Sequence, residues 1–226
     1  MSLIIGCIVD NKGSGLRGKD DMYRDLLLKF PELPKVCAKV WGGSSSVFLW
    51  GHEVFHKRGV VTADTPHAFK TPFHQDTVLV PTKGRHMANL WIPLQDTPKE
   101  NSLEIVRGSH KGPGYQAADL TADARINVHD KDKKSEFPVL PEIDSDRGAW
   151  PIVSWEAKLG DVIMLHPSCI HGGGKLSADF QQRDTLILRF FGDECDMPAY
   201  VARRRVLGPT HPITDEHRLQ NKNARL

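Results

Sequence analysis

Along this chain, apolar positions first recur at helical spacing and then switch to the two-residue alternation of strands. Asp20 and Asp21 precede MYRDLLLKF, where Met22, Leu26, Leu27 and Phe30 share a helical spacing, so a short helix with carboxylates at its start is predicted. Pro31 and Pro34 interrupt it. LPKVCAKVWG, with Val36, Cys37 and Val40 apolar, predicts a second helix closed by Gly42 and Gly43. From Ser46 aromatic and β-branched residues take over, and SVFLWGHEVFHKRG predicts a strand bent at Gly51. VVTADTPHAFK is a loop leading into the strand TPFHQDT. MANLWIPL, SLEIVRG, PIVSWEA, VIMLH and RDTLILRFFG are further short strands, separated by turns such as PTKGRH, QDTPKEN and Gly160-Asp161. Pro93 puts MANLWIPL at an edge or a bulge, HGGGKLSADFQQ is a glycine-rich connection, and MSLIIGCIVD is a strand or an ordered arm.

Many short strands behind two helices predict an all-β sandwich or barrel. At 226 residues the chain is expected to form one domain around a single core. Two stretches break the pattern. Gln116 to Trp150 is polar and lacks a period, which suits either a lid or a disordered excursion. The tail 197–226, with ARRR and NKNARL, reads as solvated.

Composition narrows the partners. Thirty lysines and arginines against 28 acids leave a formal charge of +2, too little field to argue for nucleic acid. Cys7, Cys37, Cys169 and Cys195 contain no CxxC pair and are too sparse for a disulfide scaffold, so they read as buried thiols in a reducing, cytoplasmic setting. The opening apolar run is short and lacks a basic flank, and no stretch reaches the ~18 apolar residues of a membrane span. A soluble protein acting on a small molecule, without nucleic acid or membrane partners, is the expectation.

The chemistry centres on Thr71 to Thr77. In a strand His74 and Asp76 point to one face, so an imidazole and a carboxylate can converge on one cation. A third ligand must come from far along the chain. His171 is the leading candidate and His166 in the same stretch competes. Two histidines and one carboxylate leave positions open, as non-haem Fe(II) and O₂ chemistry requires. If VIMLH and RDTLILRFF are antiparallel neighbours, Arg183 faces the metal mouth, where a guanidinium binds a carboxylate through two parallel hydrogen bonds. Arg189 on the same strand competes for that role, and a surface salt bridge is the plain alternative for both. Lys57 lies where it can approach the same anion. His52, His56 and His67 read as surface or supporting residues, and Cys169 as a thiol with nothing to activate it.

On these residues the chain resembles the phytanoyl-CoA dioxygenase family of Fe(II)- and 2-oxoglutarate-dependent oxygenases. HQD at His74 to Asp76, WIPLQDTPKENSLEIVRGSHKG at Trp91 to Gly112, and GDVIMLHPSCIHGGG with Arg183 carry the resemblance, which spans Leu33 to Phe191. It implies a mainly β, double-stranded β-helix, a cupin-like jelly roll with a few flanking helices. It also implies Fe(II) held by His74, Asp76 and His171, with Arg183 on the distal carboxylate of 2-oxoglutarate and Trp91 in the cosubstrate pocket. With O₂, the expected outcome is succinate, CO₂ and an oxidised, most simply hydroxylated, small molecule, in secondary metabolism. Related halogenases replace the carboxylate, so Asp76 favours hydroxylation, desaturation or ring closure.

Three departures stand out. Asn101-Ser102 lacks the family's turn glycine, Arg107-Gly108-Ser109-His110 replaces its proline-led turn, and Gly172-Gly173 stands where a serine often follows the distal histidine. The last removes a hydroxyl contact to the cosubstrate. Two other classes accommodate the same ligands, a non-catalytic metal- or ligand-binding β-barrel and a zinc-dependent hydrolase. In Gln116 to Trp150 acids outnumber lysines and arginines, which tilts the substrate toward a polar or cationic one.

Overall fold

A computed structural model of the chain describes residues 4–7, 25–59, 70–77, 83–116 and 137–196. The start of the first predicted helix, His67, most of the 116–150 segment and the tail 197–226 lie outside them. Eleven strands follow in order among the described residues: β1 (Ile4–Cys7), β2 (Ser46–Arg58), β3 (Thr71–His74), β4 (Lys83–Gly84), β5 (Met87–Pro93), β6 (Leu103–Val106), β7 (Ile152–Ser154), β8 (Ile163–Leu165), β9 (His171–Gly173), β10 (Gln182–Gly192) and β11 (Cys195–Asp196). The architecture is the predicted mainly β jelly roll, its sheets antiparallel apart from the β1–β2 pair, with helix α1 (Glu32–Val40) preceding β2. No helix among the described residues is long and apolar enough to cross a membrane.

The chain, expected as one domain, divides into two compact units, and β2, β5 and β10 each contribute residues to both. The first comprises 1–53, 81–89 and 188–226. Here residues 25–29 are helical and α1 follows, with Glu32 in its first turn and Lys39 in its last, both favourable to the helix dipole. Pro34 is tolerated because first-turn amides need no intrahelical partner. The helix ends as its glycines predict: Gly43, at φ 107°, donates to Ala38 O at 2.9 Å, and Gly42, at φ 85°, to Lys39 O at 3.1 Å. The buried face differs from the expected one. Pro34, Cys37 and Ala38 turn inward while Val36, Val40 and Phe30 are exposed. β1 runs parallel to β2, and β4 pairs antiparallel with β11.

The second unit comprises 54–80 and 90–187 and contains the four-stranded antiparallel sheet β3-β9-β6-β7. Across it His74 stands opposite His171, His171 opposite Ile105, and Ile105 opposite Val153. β5, whose residues 90–93 belong to this unit, is hydrogen-bonded between β10 and β8. Three expectations are corrected here. The HGG of the glycine-rich stretch is strand β9, because it has strands on both sides to pair with. β5 is interior rather than an edge, and Pro93 is tolerated as its last residue, where no further ladder bond is demanded. β8 and β10 are not neighbours, so Arg183 reaches its place by another route. Of the 116–150 segment, 137–150 is described. Residues 143–149 form 3₁₀ turns with Ile143 buried, packed with Phe73, Val106 and Ile170.

Candidate metal centre and anion pocket

β3 ends at His74, and Gln75 and Asp76 follow in a bend. The carboxylate therefore meets the imidazole because the chain turns, and strand alternation is not the cause. Backbone and side chain hold that turn. Asp76 N–H donates to Pro167 O at 2.9 Å. The buried Gln75 amide donates to Ser168 O at 2.8 Å and Pro113 O at 3.2 Å, and its carbonyl accepts from Tyr115 N–H at 2.9 Å. Sequence reasoning misses Gln75. A lone polar side chain between two ligands carries no periodic signal, and its partners lie in other loops.

His74, Asp76 and His171 are all buried, and their ligand atoms lie within 4.8 Å of one another. His74 Nε2 is 3.3 Å from Asp76 Oδ1, and His171 Nε2 is 3.8 Å from Asp76 Oδ2. The tautomers follow from the other ring atoms. His74 Nδ1 lies 2.8 Å from Pro72 O and His171 Nδ1 lies 2.9 Å from Cys169 O. A carbonyl only accepts, so each Nδ1 donates, and Nε2 is the ring atom each histidine can offer to a metal. Two imidazole nitrogens and one carboxylate on a shared centre fit a divalent transition metal.

β9 is glycine because its neighbours leave no room. A Cβ on Gly172 would lie 2.9 Å from Thr71 O, and one on Gly173 would lie 2.8 Å from Arg183 Nη2 and 2.9 Å from Thr71 Oγ1. A serine at position 172 would press on backbone, and one at position 173 would displace the Arg183 guanidinium or the Thr71 side chain. Arg183 is 3% exposed, and its Nη1 donates to Asn101 O and to Gly174 O at 3.2 Å. Its guanidinium carbon sits 5.9 Å from the Trp91 ring centroid, so the two sequence candidates do meet. Arg183 Nε is buried with no hydrogen-bond partner, and no carboxylate among the described residues pairs with the guanidinium. Burial holds its pKa down to about 10.

Lys57 donates to Thr71 Oγ1, and its pKa is lowered to about 7, first by burial and then by the Arg183 charge. A buried guanidinium and a half-buried amine therefore lie together near Thr71 and Gly173, and their charges favour an anion beside them.

The competing candidates sit elsewhere. Arg189 Nη1 is 2.5 Å from Glu53 Oε2, the salt bridge named as its plain alternative. His166 accepts from Ser168 N–H at 3.1 Å through Nδ1 and is not part of the cluster. His56 is largely exposed against Asp184 at 2.9 Å. Cys37 and Cys169 are buried free thiols, whereas Cys195 is half-buried, a correction to the expectation that all four are buried. Burial pushes Cys37 up to about 12 and raises Cys169 as well, so neither is an activated nucleophile.

The model of the phytanoyl-CoA dioxygenase family matches residues 10–183. No curated protein sequence matches the chain. Among solved structures, it is similar to the epimerase SnoN in complex with Fe3+, alpha ketoglutarate and nogalamycin RO, with TM-score 0.54 and 19% identity, covering 80% of this chain and 64% of SnoN. It is also similar to the non-haem alpha ketoglutarate dependent carbocyclase SnoK from nogalamycin biosynthesis, with TM-score 0.54 and 18% identity over 84% of this chain and 67% of that one. EvdO2 from Micromonospora carbonacea var. aurantiaca gives TM-score 0.55 and 17% identity over 80% of this chain and 66% of its own. At these identities the likeness is one of fold, and the chain spans slightly less than two thirds of SnoN.

Proposed function

We propose that this chain, which belongs to the phytanoyl-CoA dioxygenase family over residues 10–183, is an Fe(II)- and 2-oxoglutarate-dependent oxygenase acting on a small molecule. Bound iron supplies O₂ activation, with one oxygen atom going to succinate as 2-oxoglutarate loses CO₂ and the other to the substrate, by hydroxylation as the default. The residues of the chain supply the rest. His74, Asp76 and His171 would hold the metal. The Nδ1 bonds to Pro72 and Cys169 carbonyls keep both rings in the ligating tautomer. Arg183 and Lys57 take the distal carboxylate of 2-oxoglutarate, and Trp91 closes the pocket behind the guanidinium. The buried cluster of Trp91, Leu103, Ile105, Leu165 and Ile187 keeps water from this side.

One observation carries the reading. A buried arginine with an unsatisfied Nε and no acidic partner among the described residues packs against Gly173 of the strand that carries His171. A non-catalytic metal barrel or a zinc hydrolase has use for the three ligands and none for that cation. SnoN and SnoK, acting in nogalamycin biosynthesis, support a role in secondary metabolism.

The test starts without oxygen. Fe(II) and 2-oxoglutarate together should give the visible charge-transfer band of the ternary complex, and admitting air should release succinate. A chain that binds Fe(II) but shows neither band nor succinate is not this oxygenase.

A further inference from the structure

A groove of about 870 Å³ opens over β6, β7 and β8, within the size range of small-molecule sites. None of His74, Asp76 or His171 lines it. Its walls carry two tryptophans, Trp150 and Trp155, and three strong cations, Lys99, Arg107 and Arg147. Glu104 is its one carboxylate, and that charge is already met: Arg147 Nη2 lies 2.6 Å from Glu104 Oε1, while Nη1 lies 2.8 Å from Asp144 Oδ1. Lys99 and Arg107 are left on the groove with no acidic partner among the described residues. Trp155 is 47% exposed, a large ring surface left in water on the same wall.

The groove also touches the metal strand. Ile105 in its lining stands opposite His171, and Cys169, also in the lining, accepts the His171 Nδ1 hydrogen bond at 2.9 Å. The groove and the metal cluster thus share β6 and the 169–171 stretch.

We propose that this groove binds an anionic, ring-bearing part of the substrate, with a phosphate or carboxylate on Arg107 and Lys99 and a ring against Trp155. The proposal names the substrate class for the oxygenase, and it rests on the oxygenase reading for the oxidation that comes after binding. Two unmatched cations supply charge-assisted hydrogen bonds to an anion, and an exposed indole face supplies area that a flat or sugar ring covers. The sign of charge is opposite to that suggested by the acidic excess of the 116–150 segment. The described groove residues from that segment are Arg147 and Trp150, and its acid Asp144 is spent on Arg147 and Lys70.

The test is isothermal titration of the full chain, without iron or 2-oxoglutarate, using phenyl phosphate, benzoate, inorganic phosphate and benzyl alcohol. Phenyl phosphate or benzoate should bind at least about tenfold more tightly than benzyl alcohol, the stronger of the two identifying the anion. Arg107→Ala should weaken that binding about tenfold or more, and Trp155→Ala should weaken phenyl phosphate while sparing inorganic phosphate. Arg189→Ala, which breaks the contact to Glu53, should leave it unchanged. Binding that ignores Arg107, or that fails for every probe, overturns the proposal. The oxygenase reading fails separately, through the missing charge-transfer band, which this titration does not use.

Discussion

At the metal cluster every ring nitrogen is committed, the Nδ1 atoms to the Pro72 and Cys169 carbonyls and the Nε2 atoms to the side facing Asp76. Beside it, Arg183 spends Nη1 on Asn101 O and Gly174 O and leaves Nε buried without a partner. The first region is a finished donor set awaiting a cation. The second is a surplus of buried positive charge awaiting an anion. A buried donor without a partner, as Arg183 Nε is, loses its water without replacement. On the proposed function the first region serves the metal and the second the anionic cosubstrate, and the difference says which perturbation should strike which.

Removing a ligand should have the largest effect. His74→Ala, Asp76→Ala and His171→Ala are each expected to lose stoichiometric Fe(II) binding and bring succinate formation to background, with far-ultraviolet circular dichroism unchanged. Metal content after gel filtration checks this directly. A fully active His171→Ala protein, with loss in His166→Ala, would pass the ligand role to His166.

Arg183→Ala should leave Fe(II) binding near the parent's while raising the 2-oxoglutarate requirement on the order of a hundredfold, the usual scale for losing one partner of a desolvated charged pair. Arg183→Lys should fall between, because the charge remains but the planar fork is gone. Arg189→Ala, which breaks only the contact to Glu53, is the control and should scarcely move the requirement. Equal effects of the two alanine variants would dissolve the distinction between metal centre and anion pocket.

Much of this is legible in the chain. Alternation marks β10 and the first half of β2, where one face is the more deeply buried, while β5 is apolar and buried on both faces. The HxD stretch, the distal histidine and Arg183 are visible as residue types that rarely enter a core without a partner. Sequence reasoning goes astray where pairing partners decide the structure. His171-Gly172-Gly173 reads as a loop by composition and becomes a strand only because β3 and β6 flank it. Strand alternation predicts the approach of Asp76, whereas a bend fixed by Gln75 and Pro167 produces it. A β8–β10 pairing would aim Arg183, but β5 interrupts it. Sequence spacing carries no record of which strand lies between two others.

The glycines of β9 offer a finer test. Gly173→Ser restores the hydroxyl of the family pattern but sets a Cβ 2.8 Å from Arg183 Nη2 and 2.9 Å from Thr71 Oγ1. The guanidinium must shift, so the 2-oxoglutarate requirement should rise on the order of tenfold and stability should fall by about 1–3 kcal/mol. Gly172→Ser meets backbone, Thr71 O at 2.9 Å, and should cost stability more than cosubstrate affinity. Thermal melts and succinate titrations of both variants separate the two outcomes, and a Gly173→Ser protein with parental cosubstrate dependence would show that the pocket has slack there.

The smallest effect expected is in the pH dependence of stability, and it isolates Lys57. Its pKa in the folded chain is lowered to about 7 from the ordinary 10.5, so between those values the unfolded chain binds a proton that the folded chain does not. Folding stability from this group therefore rises as pH rises through 7 and is complete only above 10.5. Cys37 acts in the opposite sense above 9, where the unfolded thiol ionises and the folded one, pushed up to about 12, does not. The clean window for Lys57 is thus pH 7 to 9. In that window the melting temperature of the metal-free parent should climb relative to that of Lys57→Met. Added 2-oxoglutarate should flatten the climb, because an anion beside Lys57 and Arg183 favours the charged amine. Parallel melting curves for parent and variant across the window would mean that Lys57 is not a desolvated cation, and the anion pocket would then rest on Arg183 alone.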